Sequence, residues 1–333
     1  MTAVVRWGVL GVAGINAAMV PAIRACAGAE LLGIASRDEG RARDVAAAEH
    51  LDPYVGYDAL LTDPAIDAVY LPTPNAQHAP WTLQAVAAGK HVLCEKPLAV
   101  TAGEAREMAD AAAAAGVHLA EAFMYAHHPR FHLVRRLIAD GAIGDIRSIH
   151  VTFTFDASGE LGHSGFQGAP GSGAIYDVGC YAVHVARTLI GAEPEAVTAH
   201  AMSSIVHGDI DMSTSLLLEF PGGVGATAQL GMWNGDRDTV TVIGSRGWID
   251  IPRAFLCSAT DDADIILGEG DDSQTIAVPP ADHYALQVAC FDSAVRGDGE
   301  LLFPIEDAIS QAVVHEAATR SRRERVRVRI SRS

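Results

Sequence analysis

Short apolar runs alternate with segments of helical spacing through the first third of the chain. Val4–Leu10, Glu30–Ala35, Asp67–Leu71, His91–Cys94 and Val117–Phe123 read as strands. Gly14–Ala27, Glu39–His50, Ala79–Ala88 and Thr101–Ala115 read as the helices between them. The strands lack a clean in/out alternation, so both faces are expected to be buried. Strands of that kind, each followed by a helix, form a parallel sheet covered on both sides. After about Tyr125 the rhythm changes. Helices are predicted at Pro129–Ala139 and from about Ala174 to Ile190. Strands then follow quickly at Ala196–Ile205, Ser213–Phe220, Gly225–Leu230, Thr239–Ile243 and Trp248–Ile251, parted by turns such as Pro221-Gly222-Gly223. A last helix is expected at Ile305–Arg320. The pattern predicts an α/β protein of two domains. Residues 1–125 form a doubly wound parallel sheet, and residues 126–333 an α+β domain on a large open, mainly antiparallel sheet.

Length and composition agree with that division. A chain of 333 residues exceeds one compact core, and 49% hydrophobic with 20% charged residues is the balance of a packed globular protein. The net charge of −17 argues against nucleic acid as a partner, because that binding runs on Lys and Arg contacts to phosphate. One basic run extends from Arg320 to Arg332. Its alternation, Arg325-Val326-Arg327-Val328-Arg329-Ile330, predicts an edge strand with a charged outer face. The five cysteines (Cys26, Cys94, Cys180, Cys257 and Cys290) are odd in number, widely spaced and set among apolar residues. They read as buried thiols of a reducing compartment, neither a disulfide frame nor a zinc site. No signal peptide is recognisable, and no apolar stretch approaches the roughly 20 residues that span a bilayer. A cytoplasmic protein without membrane contact is expected.

Candidate chemistry begins at the first strand-to-helix turn, Gly11-Val12-Ala13-Gly14-Ile15-Asn16. Such a turn aims backbone N–H groups and a helix N-terminus at a pyrophosphate, which makes residues 1–125 a Rossmann-like dinucleotide-binding domain. Gly11, Ala13, Gly14 and Ile15 are the candidate contacts, although Ala13 and Asn16 stand where the fingerprint has glycine or another small residue. The second strand ends in Ser36-Arg37. A hydroxyl and a guanidinium suit a 2′-phosphate, and no carboxylate sits there to repel it, so NADP(H) is expected, with NAD(H) as the alternative. Asp38 reads as a helix N-cap.

Hydride transfer also needs a proton partner for the substrate oxygen. Glu95-Lys96-Pro97 follows an apolar strand at the carboxyl edge of the sheet, where a lysine can polarise a substrate oxygen. A second constellation is Asp177, Tyr181 and His184, which on one continuous helix share a face as a proton-handling set. Gly168–Gly173 before it has no abutting strand and reads as a hinge-like loop. His128 and His132 stand four residues apart, but no third ligand is evident and no metal is expected.

With Ala35-Ser36-Arg37, Pro74-Asn75 with His78, Glu95-Lys96-Pro97, Glu121-Ala122-Phe123-Met124-Tyr125 and Asp177-x-Gly179-x-Tyr181 in place, the sequence resembles the glucose–fructose oxidoreductase / inositol dehydrogenase / MocA family over nearly its whole length. The resemblance implies a Rossmann domain plus an open-faced sheet domain that supports a homodimer or homotetramer. It implies cofactor contacts at Thr73, Pro74, Asn75, His78, Glu95, Lys96 and Pro97, with Lys96 near the nicotinamide and a cis peptide at Pro97. Tyrosine at position 181 resembles the branch containing dihydrodiol and xylose dehydrogenases, which favours NADP. Ala126-His127-His128 departs from the family pattern at a strand end bordering the site.

The expected activity is hydride transfer between nicotinamide and a small sugar- or polyol-like alcohol or its carbonyl. Tyr181 exchanges the hydroxyl proton, Lys96 stabilises the alkoxide, Asp177 orients the pair, and Tyr125 and His184 bind substrate. The alternatives are a same-fold reductase of a nucleotide-linked ketosugar or a trans-dihydrodiol, and a cofactor-sensing homologue without turnover.

Overall fold

In the computed structural model, residues 4–159, 166 and 168–331 are described, and the chain divides into two compact units. The first comprises Met1–Met124 with His283–Ile309. Its strands are β1 (Val5–Leu10), β2 (Ala29–Ser36), β3 (Asp52–Val55), β4 (Ala68–Leu71), β5 (His91–Glu95) and β6 (Leu119–Ala122). They form one sheet in the order β3-β2-β1-β4-β5-β6, with every pairing parallel. Helices α1 (Asn16–Ala25), α2 (Glu39–Ala48), α3 (Tyr57–Leu61), α4 (His78–Ala87) and α5 (Ala102–Ala115) make the crossovers. Local chemistry sets several of their ends. Asp38 caps α2 by accepting from the Arg41 amide, and Thr101 and Glu104 form a reciprocal capping box on α5.

The expected boundary at 125/126 leaves out one element of this unit. The helix His283–Val295 packs Val288 and Phe291 into the cluster around Trp7, Val9, Ile34 and Tyr70. The Trp7 and Phe291 rings lie 5.3 Å apart, and Trp7 Nε1 donates to Asp292 Oδ1 at 2.9 Å. Cys26 Sγ donates to the other carboxyl oxygen at 3.4 Å. The segment joins the first unit because an indole N–H buried without an acceptor is costly, and Asp292 supplies that acceptor.

The second unit comprises Tyr125–Asp282 with Ser310–Ser333. In chain order it holds α6 (Pro129–Ala139), β7 (Ile146–Asp156), α7 (Ala174–Asp177), α8 (Gly179–Ile190), β8 (Ala196–Ser204), β9 (Ile210–Glu219), β10 (Gly225–Gly231), β11 (Trp233–Gly244), β12 (Trp248–Pro252), β13 (Ile265–Glu269) and β14 (Asp272–Ile276). The helix His283–Val295 is α9; α10 (Ile305–Glu324) and β15 (Val328–Arg329) end the chain. The sheet order is β14-β13-β12-β11-β7-β10-β9-β8-β15, antiparallel throughout except for β10 beside β7. The basic C-terminal run places β15 at the sheet edge, where Arg327 forms a bidentate pair with Glu219 at 2.6 and 2.7 Å. Arg332 lies outside the described residues.

One face of this sheet buries Ile149, Val151, Leu216, Leu218, Leu230, Val240 and Val242. Helices on a single face lead one to expect a broad apolar surface on the other, and the structure differs. The opposite row, Thr198–Leu217–Thr227–His150–Thr241–Asp250, holds one large apolar residue. His150 Nδ1 lies 2.7 Å from Thr227 Oγ1, and Thr241 Oγ1 donates to Asp250 at 2.5 Å. Cross-strand hydrogen bonds between side chains suit a wet surface. No described helix is long and apolar enough to cross a membrane, and all five cysteines are free thiols.

Asp292 gives the first unit a pH dependence. Burial pushes its pKa from 3.8 up to about 6, against the pull of its Trp7 and Cys26 hydrogen bonds. The folded state therefore keeps a proton that the unfolded chain has already released. The stability tied to this proton is complete below about pH 4 and is lost as pH rises through about 6. Asp292→Asn keeps an acceptor for Trp7 without the charge. Its stability relative to wild type should grow by up to about 3 kcal/mol from about pH 4 to about pH 7, measured by urea unfolding. A pH-independent difference would refute the assignment.

Candidate active site

The sheet order puts four strand ends side by side at the carboxyl edge of the first unit. β2 ends at Ser36, β1 at Leu10 before Gly11, β4 at Leu71 before Thr73, and β5 at Glu95 before Lys96. Gly11 has φ of +138°, a conformation that a residue with a Cβ rarely adopts, and it turns the chain sharply into α1. Asn16, in the first turn of α1, donates from Nδ2 to the Gly11 carbonyl at 2.9 Å, while its backbone amide bonds Ala13 O at 3.1 Å. The departure from a small residue thus closes the turn from inside. Gly14 has open space around it, with nothing within 4 Å of an added Cβ. Ser36 is buried and accepts from the Asp38 amide at 3.2 Å, whereas Arg37 is exposed.

Beyond β4, the buried Thr73 Oγ1 has no hydrogen-bond partner in the protein. An orphaned hydroxyl between Pro72 and Pro74 fits a ligand group, and so do the exposed Arg37 and the open turn at Gly14. The residues present therefore fit a dinucleotide along this edge. Beyond β5, the Lys96-Pro97 peptide is cis. Glu95 is turned toward the protein: one carboxyl oxygen accepts from Tyr70 Oη at 2.6 Å, the other from the Lys96 amide at 3.3 Å. Burial raises the pKa of Glu95, against the attraction of Lys96. Glu121 Oε1 accepts from the Leu98 amide at 2.8 Å and secures the segment after Pro97. His78, expected as a cofactor contact, is fully buried, and its two ring nitrogens face the backbone carbonyls of Pro97 and Thr73.

The second unit holds the remaining predicted residues, and one expectation fails there. Asp177, Tyr181 and His184 do not share a continuous helix. The helix is interrupted at Val178 (φ −114°, ψ −22°), so Asp177 ends α7 while Tyr181 and His184 belong to α8. Gly179, directly after the break, has no room for a side chain: an added Cβ there would lie 2.9 Å from Leu230 Cδ1 and 3.3 Å from the Ala174 carbonyl. The first turn of α7 is fixed by Asp211, whose Oδ2 accepts from the Ile175 amide at 2.8 Å. A Cβ on Gly173, at φ +100°, would collide with the same carboxylate.

Tyr181 is 5% exposed and stands in an aromatic cluster, with ring centroids 5.2 Å from Phe153, 5.1 Å from Phe255 and 5.9 Å from Tyr125. Tyr125 and His184, expected as substrate contacts, meet each other: Tyr125 Oη lies 2.6 Å from His184 Nδ1, with both side chains buried. His128 Nδ1 accepts from the Arg130 amide and caps α6. Burial, aided by the Arg130 charge, pushes its pKa down to about 4.

Sequence reasoning passed over several supports. Arg41, in the first turn of α2, donates to Val12 O at 3.1 Å and places a second guanidinium at the Gly11 turn. Its spacing after the Asp38 cap was available as a signal. Arg130 and Asp238 were beyond reach. Arg130 donates to the carbonyls of Pro252, Arg253 and Ala254, and Asp238 accepts from the amides of Phe255 and Leu256. Together they fix Phe255 under Tyr181.

Comparison with known proteins follows the same division. Residues 5–123 match the model of an oxidoreductase family with an NAD-binding Rossmann fold, GFO_IDH_MocA, and residues 131–250 match the GFO/IDH/MocA C-terminal domain. A dTDP-3,4-didehydro-2,6-dideoxy-alpha-D-glucose 3-reductase from Streptomyces violaceoruber is 35% identical, covering 89% of this chain and 86% of its own. A D-xylose 1-dehydrogenase (NADP(+)) from Haloferax volcanii is also 35% identical, covering 87% of this chain and 89% of its own. The crystal structure of a 3-ketoreductase from Actinomadura kijaniata, in complex with NADP and TDP-benzene, superimposes with a TM-score of 0.91 at 32% identity. It covers 96% of this chain and 98% of its own.

Proposed function

The chain belongs to the GFO/IDH/MocA oxidoreductase family, and on that premise we propose that it is an NADP(H)-dependent enzyme acting on a sugar-like alcohol or its carbonyl. The carrying observation is the row of strand ends at the carboxyl edge of the six-stranded sheet. The turn from Gly11 to Ile15 receives the pyrophosphate, with Gly11, Ala13, Gly14 and Ile15 as contacts. Ser36 and Arg37 receive the 2′-phosphate, joined by Arg41. Thr73, Pro74 and Asn75, together with Glu95, Lys96 and Pro97, line the nicotinamide end.

When bound, the nicotinamide supplies hydride to a carbonyl carbon or takes it from a carbinol carbon. In the reductive direction Tyr181 gives its phenolic proton to the carbonyl oxygen, and Lys96 offsets the negative charge that grows there. Asp177 orients this pair. Tyr125 and His184 shape the substrate side, His184 through its bond to Tyr125. The Streptomyces reductase and the Actinomadura ketoreductase favour a nucleotide-linked 3-ketosugar as the substrate class. The Haloferax dehydrogenase favours a free aldose. NADPH consumption with a TDP-linked ketosugar, set against NADP+ reduction with a panel of aldoses, separates them. Binding of cofactor without turnover on either would support a sensor instead.

The same reading includes a homodimer or homotetramer joined through the open sheet face by its Thr, His and Gln side chains with Leu217 and Ile243. Light scattering should give a mass at least twice 34.9 kDa, and a monomer at micromolar concentration would refute it.

Arg37→Gln should weaken NADP(H) by roughly 1.5–3 kcal/mol while leaving NAD(H) nearly unchanged, because the lost hydrogen bond is charge-assisted. Equal weakening of both cofactors in titrations would remove Arg37 from the 2′-phosphate.

Lys96→Met and Tyr181→Phe should each lower kcat by roughly 10²–10⁴, with cofactor affinity retained. The double variant should be little worse than either single one, since groups that handle one proton are not additive. Near-wild-type turnover in either variant would defeat the assignment.

A further inference from the structure

The ladder between β4 and β5 ends at the pair Leu71 and Cys94. The two chains run on as Pro72-Thr73-Pro74 and Glu95-Lys96-Pro97. Three of these six residues are prolines, which lack an amide hydrogen, so the loops have few donors with which to tie themselves together. His78, the first residue of α4, fills that gap. Its Nδ1 lies 2.8 Å from the Pro97 carbonyl oxygen and its Nε2 lies 2.7 Å from the Thr73 carbonyl oxygen. The side chain is 0% exposed, so water cannot take over either contact.

We infer that His78 is a positioning residue: its imidazole braces the loop after β4 against the loop after β5 and sets the spacing between Thr73 and Lys96, without touching cofactor or substrate. The inference rests on the NADP(H) reading above and adds a residue that acts only on the nicotinamide half of the site. The facing charges are those of Lys96 and Glu104. Burial pulls the pKa of the ring below that of free histidine and Lys96 adds to this, while the two carbonyls and Glu104 oppose it. A neutral ring donates from one nitrogen only, so near neutral pH the brace is one hydrogen bond and one close contact. A merely well-packed core histidine would bear on stability alone. A brace bears on one half of the dinucleotide and spares the other, because the Gly11 turn and Ser36-Arg37 are held by Asn16 and Asp38 and not by His78.

Equilibrium binding to the full chain tests this with two probes: NADPH, which spans the whole edge, and 2′,5′-ADP, which reaches only the adenosine half. In His78→Leu, NADPH affinity should fall roughly ten-fold while 2′,5′-ADP affinity changes by less than about two-fold. His78→Gln, whose carboxamide carries two donor hydrogens, should recover most of the loss. Should the Leu variant fail to fold, His78→Asn, too short to span both carbonyls, carries the same comparison. Equal weakening of both probes, or unchanged NADPH binding in the Leu or Asn variant, would overturn the brace. Wild-type protein that binds neither probe would overturn the cofactor reading itself, a result distinct from failure of the brace.

Discussion

Six parallel strands must all deliver their carboxyl ends to one edge of their sheet, because each crossover returns the chain to the opposite edge before the next strand begins. That constraint gathers Gly11, Ser36, Thr73 and Lys96 from positions far apart in the sequence. The order β3-β2-β1-β4-β5-β6 reverses direction between β1 and β4, which opens a crevice there for a ligand lying along the edge. The rigid part is the core around Trp7, Val9, Ile34 and Tyr70; the chemistry sits on short loops that the core holds still.

The second unit reaches the same end by other means. Tyr181 is placed by packing, among Phe153, Phe255 and Tyr125. Those rings are themselves placed by polar groups in turn. Arg130 gathers the carbonyls around Arg253, Asp238 takes the amides of Phe255 and Leu256, and Tyr125 meets His184. These polar partnerships hold the rings of Phe255 and Tyr125 in place.

What the sequence made legible is what is local. The Gly11 turn, the Asp38 cap, the Ser36-Arg37 strand end and the Glu95-Lys96-Pro97 segment each lie within a few residues. The first strands were plain because parallel strands buried on both faces are continuous apolar runs. Strand β7 was equally legible, since Ile149, Val151 and Phe153 alternate with polar residues, although it was not among the strands expected. The edge strand β3 was not legible, with Asp52 and Pro53 on a largely exposed face. Contacts that close over long separations were hidden: Trp7 with Asp292, Arg130 with Ala254, and His78 with Pro97. The break at Val178 was passed over too, although Gly179, a weak helix former, stands directly after it. The polarity of the open sheet face lay in the alternation of β7 and β10, but only the register shows that His150 and Thr227 face each other.

Trp7 and Asp292 are 285 positions apart, and that separation bears on how the protein is made. The strands of the first sheet leave the ribosome early, but the indole of β1 has no acceptor and the faces of α1 and β1 have no cover until α9 arrives. A nascent chain must therefore carry an unfinished dinucleotide domain through the synthesis of almost the whole second unit. Cutting the gene at residue 125 would not yield a self-sufficient nucleotide-binding module. The segment 283–309 would have to be grafted back for that module to close its core.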